Sequence, residues 1–294
     1  MARLHRADNP WKWEKINPYD ESEENEIKDV TRKARSILNR ITPTNEEELT
    51  REFLALRVHL SPALKYVAAM VFHKSIEEPK FCEIYCRLCN KQAQSEHSNG
   101  SRFRNEILLL SQTCFSANSA IDSEKGGLRG SEVRRMQAEV DEDIRRKSDL
   151  SVRERRWIRL GNIRFYAHLY LQNLLSVRVV HFCIMESLKS VAKDGGGNLP
   201  SRDDVANESV ECAVYLLELV GQRLLQDGSN VAVQAYATLE EAMPIVSPRL
   251  RILIMNLLEL RERGWVPRMA PNVPRTLDEI REEVRKEQEE KAEV

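Results

Sequence analysis

Cys82, Cys86 and Cys89, in the stretch FCEIYCRLC, stand at the C-x3-C-x2-C spacing that in another setting holds an iron–sulfur cluster of the radical type. The surrounding pattern is helical, and on one regular helix these thiols fall at i, i+4 and i+7, a single face that also includes Tyr85. Three ligands on one helix face do not wrap a cluster, and no β/α barrel pattern accompanies them. His97 is a conceivable fourth metal ligand, yet its distance from the cysteines matches no zinc spacing well. The cysteines are read as small buried side chains, and no metal is expected. All six cysteines of the chain, in a sequence that starts without a secretory signal, are expected as reduced thiols.

Other chemistry is equally poorly provided for. The histidines (His5, His59, His73, His97, His168 and His181) are scattered and none sits in H-E-x-x-H or a comparable ligand spacing. Nucleophile motifs built on Ser, Cys or a carboxylate are missing. The glycines Gly195 to Gly197 follow no strand and precede no Lys-Ser/Thr, so they read as a flexible loop rather than a phosphate cradle. A non-catalytic chain without a cofactor is expected.

Local charge is more informative than the total of −1. From Arg129 to Arg164 eleven Arg/Lys stand against seven acids, a surplus of +4. Within it Arg145, Arg146, Lys147, Arg155, Arg156 and Arg159 could track an RNA backbone without reading sequence, or could form a solvated, salt-bridged face. From Thr276 to Val294 eight acids face four bases, −4, with Glu282/Lys286 and Glu287/Lys291 at i, i+4, the mark of a solvated helix held by its own pairs. Trp11 and Trp13, in a polar N-terminal stretch, are costly to expose. They dock either on a partner or on the chain's own surface.

The elements that carry these residues are helical throughout. Gly and Pro number only 11 each, apolar residues recur at i, i+3 and i+4, and no period-2 strand is found. Residues 1–23 read as a flexible arm. Helices are expected at about 24–40, 45–56, 62–78, 79–95, 102–116, 150–175, 177–193, 202–226, 231–243 and 248–263, with a charged helix from Thr276 to the end. Thr44 or Asn45 is the expected cap of the second, with the glutamates after it favouring the positive end of the helix dipole. Residues 117–150 break the pattern and read as a mobile insertion. The helices fall into antiparallel pairs of about 35 to 50 residues, the layout of a HEAT-like α-solenoid. The fold class is therefore all-α, with about five helix pairs in a domain spanning 24–268 and a charged extension at 269–294.

Gly161-Asn162 tests this reading, because the pair is a turn signal by composition while RRWIRLGNIRFYAHLY is periodic on both sides. Trp157, Leu160, Gly161, Ala167, Leu171 and Leu174 line one side of a continuous helix, and Ile158, Phe165 and Leu169 a second. A helix apolar on two sides is central. Gly161 costs about 1 kcal/mol against Ala in a helix interior. Its presence there implies close backbone approach, and Asn162 beside it needs a buried partner.

Size and composition fit one or two soluble domains. The longest nearly apolar run, near Val177 to Met185, is broken by Arg178 and too short to span a bilayer. No membrane association is expected, and a cytoplasmic or nuclear location is.

Five segments then carry a resemblance: SILNRITPTNEEEL, EEPKFCEIYCRLC, RFRNEILLLSQTCF, RLGNIRFYAHLYLQNLL and SPRLRILIMNLLELRERGWVPR. In order and spacing they resemble the middle domain of translation initiation factor 4G, over about Glu24 to Arg268. The resemblance implies a HEAT solenoid of five helix pairs and a scaffold of translation initiation in the cytoplasm. That scaffold binds the DEAD-box RNA helicase initiation factor 4A, raises its activity, and contacts RNA and initiation factor 3. It places Trp11, with Trp13 as a second candidate, on one lobe of the helicase, aided by Leu38, Asn39 and Pro43. Arg249, Arg251 and Arg268 would lie near the other lobe. Trp265 and Val266 either join that contact or seal the end of the solenoid. Two departures stand out: His168 where the family commonly has glutamate, and no Tyr-x4-Leu-apolar element, since Tyr170 and Leu175 are followed by Ser176. Contact with the cap-binding protein is not expected through this chain. A repressor, decay or cap-complex relative of the same fold is the alternative.

Overall fold

The computed structural model describes residues 23–96, 100–120, 152–189, 191 and 204–268, together with 274, 276, 278–282, 285 and 288. The N-terminal arm with Trp11 and Trp13, His97, the glycine run and most of the 117–150 insertion, including Arg145, Arg146 and Lys147, lie outside them. Ten helices are described: α1 (Glu23–Arg40), α2 (Glu46–Ala55), α3 (Leu64–Glu77), α4 (Cys82–Ser95), α5 (Arg102–Ala120), α6 (Val152–Leu171), α7 (Val177–Leu188), α8 (Asp204–Gln226), α9 (Asn230–Ala242) and α10 (Pro248–Glu262). Short 3-10 turns occupy Val58–Leu60 and Pro79–Phe81, and there is no strand among the described residues. The helices match the expected ones to within about a turn, the largest difference being α7, which stops at Leu188.

The caps show how the sequence sets these boundaries. Ser229 and Ser247 accept hydrogen bonds from the backbone N–H groups of Ala232 and Leu250 and so open α9 and α10, with Pro248 at the first helical position. At the other end, α10 closes with the Trp265 N–H on the Leu260 carbonyl, 2.9 Å, around Gly264 at φ +64°. Asn45 departs from expectation. Its side chain does not cap α2; Oδ1 accepts from the Thr42 N–H at 2.7 Å and Nδ2 donates to the Arg40 carbonyl at 2.9 Å. With φ −114° and ψ 9° rather than an extended backbone, Asn45 reaches back to tie off the end of α1.

Successive helices pair, and the pairs stack into two layers. The even-numbered layer runs unbroken, α2 on α4, α4 on α6, α6 on α8 and α8 on α10. The odd layer places α1 on α3, α3 on α5 and α7 on α9, while α5 and α7 barely meet. This is the HEAT-type α-solenoid expected from the sequence. The core lies between the layers, with Phe72 edge-on to Phe165 at 5.6 Å and Phe53 edge-on to Phe103 at 6.2 Å.

α6 is one helix through Gly161, packed against α3, α4 and α5 on one side and α8 on the other. A Cβ at Gly161 would lie 2.7 Å from Ile76 Cγ2 and 3.2 Å from the Ile76 carbonyl oxygen. That is the close backbone approach the glycine implied. Asn162 is buried as expected, but neither amide atom has a hydrogen-bond partner. Trp157 corrects the sequence reading, because it is 54% exposed rather than packed. It falls on the strip of α6, with Arg153, that lies between the side facing α4 and the side facing α8.

Candidate functional site

The second half of the even layer carries a chain of polar contacts that joins α6, α8 and α10. Glu211 sits near the start of α8, between the buried Val210 and Cys212, and is itself 6% exposed. Arg156 of α6 grips it with two hydrogen bonds, Nε to Oε2 at 2.8 Å and Nη2 to Oε1 at 2.6 Å. Arg249 of α10 donates from Nη2 to the same Oε1 at 2.6 Å. One carboxylate therefore ties three helices from three successive pairs. Burial pushes its pKa up, but the hydrogen bonds from Arg156 and Arg249 outweigh that and hold the carboxyl below its usual value. Along the same seam Arg159 pairs with Glu208, Arg164 donates to the Tyr215 hydroxyl, and the Tyr170 hydroxyl reaches Asp227 at 3.2 Å.

These pairs sort the residues singled out in the sequence. Arg156 and Arg159, candidates for RNA, are engaged inside the chain and serve to join α6 to α8. Arg155 and Arg153 stay exposed with no partner among the described residues, Arg153 on the face of α6 that carries the exposed Trp157. Arg251 donates to the Met243 carbonyl at 2.9 Å and so satisfies the end of α9. Arg268 pairs with Glu259. Arg249 is anchored through one N–H only, and its side chain is 59% exposed.

At the other end of the stack, Leu38 is corrected from a contact residue to a core residue, since it is 1% exposed beneath α1. It lies at the same helix face as Ala34 and Ile37, where α1 meets α3. Asn39 is exposed and Pro43 half-buried, so these two present surface at the first pair.

Trp265 closes the last pair. Its ring stands edge-on to Tyr236 at 6.5 Å and lies against Gly221, where an added Cβ would come within 2.9 Å of the indole. Trp265 itself has φ +65°, a conformation a bulky residue rarely adopts. Packing against Tyr236 and α8 holds it there. This packing fits the sealing role.

The cysteine trio is core. Cys82, Cys86 and Cys89 are all buried, and Cys86 Sγ approaches the Phe165 carbonyl of α6 at 3.9 Å. Burial pushes the thiols of Cys86 and Cys89 far up, so they remain protonated. His168 lies half-buried between α6 and α4; burial lowers its pKa and keeps it neutral near pH 7. Tyr170 and Leu175 are both buried.

Three features of this surface were missed in the sequence: the tie through Glu211, the exposure of Trp157, and an apolar shelf on α10 made by Ile252 and Met255, 59% and 55% exposed. Glu211 did leave a trace, being an acid at a core position of an otherwise apolar run, VECAVYLLELV. A buried carboxylate requires a partner, but nothing local named Arg156, 55 positions away.

A profile of the MIF4G domain family matches residues 31–264. Among curated proteins the chain is similar to eukaryotic translation initiation factor 4 gamma 3 of Mus musculus, 27% identical over 309 residues, covering 100% of this chain and 18% of that protein. It is similar to eukaryotic translation initiation factor 4G of Arabidopsis thaliana, 25% identical over 298 residues, 99% of this chain and 16% of that one. Eukaryotic translation initiation factor 4 gamma 2 of Mus musculus is 28% identical over 276 residues, 88% of this chain and 28% of that one. The chain thus spans under a third of the length of these relatives. Among solved structures, the MIF4G domain of Trypanosoma cruzi translation initiation factor EIF4G5 aligns with 81% of this chain and 97% of its own at 20% identity, TM-score 0.47.

Proposed function

Because the chain belongs to the MIF4G domain family through residues 31–264, we propose that it is a non-catalytic scaffold of translation initiation that binds and stimulates the DEAD-box helicase initiation factor 4A. The observation that carries this reading is the family match across the solenoid, joined to likeness over nearly the whole chain to initiation factors 4 gamma. No helix among the described residues is long and apolar enough to cross a membrane. The proposed place of action is the cytoplasm.

The mechanism follows from the stacking. Four interhelix steps of about 8–10 Å each separate α2 from α10, about 35 Å measured along the stack. A helicase with two lobes on a hinge spends little time closed. Contacts at both ends of a rigid solenoid raise the effective concentration of one lobe for the other and shift that population. The first pair offers Asn39 and Pro43, and the arm Trp11 and Trp13; the last pair offers Arg249, Arg251 and Arg268. ATP chemistry stays in the helicase.

RNA is a further proposed ligand, favoured by Arg153, which is free one turn before the exposed Trp157 on the same face of α6, with Arg155 exposed on another face. A guanidinium and an indole on one face suit phosphate contact and base stacking. Initiation factor 3 is proposed on the family relation alone.

The test is the RNA-dependent ATPase of helicase 4A with and without this chain, with a Trp11→Ala variant alongside. Stimulation by the wild type, weakened in the variant, supports the scaffold reading and the role of the arm. An unchanged rate with no complex by calorimetry refutes it and leaves RNA binding as the function.

A further inference from the structure

The trio of Arg156, Glu211 and Arg249 is more than a strut. Glu211 Oε1 accepts from both arginines and Oε2 from Arg156, three charge-assisted hydrogen bonds that leave the trio with a net charge of +1. Arg156 is bound through Nε and Nη2; Arg249 commits only Nη2 and leaves Nε and Nη1 with no partner among the described residues. The free edge of Arg249 is thus presented by a side chain whose position is already determined. Ordering a long arginine at an interface is a substantial entropic cost, and here the buried carboxylate has removed much of it before any partner arrives.

The neighbourhood indicates the partner's chemistry. On α10, Ile252 and Met255 follow Arg249 at i+3 and i+6 and are more than half exposed, and Ile245 just before the helix is 45% exposed. The acids of α10, Glu259 and Glu262, lie nearly three turns further on, and Glu259 is taken by Arg268. A fixed guanidinium beside an apolar shelf has the make-up of a protein interface, with an apolar centre and an anchoring arginine. A phosphodiester backbone gains nothing from Ile252 and Met255, and the free Arg153 on the face of Trp157 serves it better.

We propose that Glu211 is a positioning residue that holds Arg249 ready for a carboxylate on the protein partner docked over Ile252 and Met255. This rests on the scaffold reading and names the chemistry of one of its two contacts. Arg249 touches the partner; Glu211 acts through it.

The experiment is a double-mutant cycle in the full chain: wild type, Glu211→Gln, Arg249→Met and the double variant, each titrated with helicase 4A by calorimetry and, separately, with a fluorescent single-stranded RNA. Arg249→Met is expected to weaken helicase binding about tenfold or more, and Glu211→Gln by a smaller factor of about five. The double variant is expected to bind no worse than Arg249→Met, because the effect of Glu211 is carried by Arg249. Losses that multiply in the double variant, or a folded Glu211→Gln that binds as wild type does, overturn the proposal. Arg249→Met is at an exposed position and keeps the test decisive if Glu211→Gln does not fold: undiminished helicase affinity in that variant overturns it alone. Loss of RNA affinity with helicase affinity intact assigns the anion to phosphate and overturns it as well. A wild type that binds no helicase refutes the scaffold reading, and is told apart from the other failures because it needs no variant.

Discussion

Gly161→Ala separates a glycine that is merely tolerated in α6 from one the packing requires, because the two cases predict opposite signs. In a free helix interior the change would stabilise by about 1 kcal/mol. Here the new methyl would meet Ile76 Cγ2 at 2.7 Å, the Ile76 carbonyl oxygen at 3.2 Å and Ile76 Cα at 3.3 Å. Isoleucine is stiff at χ1 and its backbone cannot rotate away, so α6 and α3 must separate by several tenths of an ångström along a buried seam. Overpacking of this kind costs about 1–3 kcal/mol. Against the propensity gain of about 1 kcal/mol, the net expectation is a loss of up to about 2 kcal/mol, which for a chain of this size lowers the melting temperature by up to about 4–8 °C. Urea unfolding followed by helical circular dichroism measures it. A second cycle with Ile76→Ala removes the nearest atom but leaves the two backbone contacts. It should recover part of the loss, seen as a coupling of at least about 0.5 kcal/mol between the two changes. Stabilisation of the single variant by the full helix-propensity amount would refute the close approach of α3 and α6.

Acid sensitivity should trace in part to Glu211. Its folded pKa lies below the unfolded value near 4.5, so its stabilisation is present above that pH and lost as the pH falls through the folded value. With Arg156 and Arg249 38% and 59% exposed, the tie is discounted for solvent screening to about 1–2 kcal/mol. Glu211→Gln should therefore lose stability at pH 7 but show a shallower decline between pH 5 and pH 3 in urea unfolding; an identical decline would count against the tie. Native-state alkylation read by mass spectrometry should modify Cys114, which is half-buried, well before the five buried cysteines, and early labelling of Cys86 or Cys89 would contradict their burial. Trp265→Ala should cost about 2–3 kcal/mol by opening a cavity against Tyr236 and Gly221, offset slightly by relief of the positive φ; a neutral result would mean the last pair is closed by something else.

The line between what was legible and what was not follows the range of the interactions. Helical periodicity, serine caps and the glycine at the end of α10 act over a few residues, and so the sequence by itself determined the helices, their order, the paired stacking and the need for close packing at Gly161. The cysteine face was legible for the same reason: i, i+4 and i+7 on one helix must share an environment, and an apolar one keeps thiols as thiols. Three things were decided by tertiary structure. Leu38 lies on the apolar stripe of α1, and it was the packing of that stripe on α3 that took it out of reach of a partner and left Asn39 at the surface. Trp157 proved exposed, because α6 has packed sides towards α4 and α8 with an open strip between, and no pattern within α6 says where its neighbours stop. Arg156 and Arg159 changed from a basic surface to internal ties, because Glu211 and Glu208 come to them from a helix about 50 positions away in sequence. Charge counted along a chain measures composition. Which arginines remain free to meet a partner depends on the carboxylates that folding brings beside them.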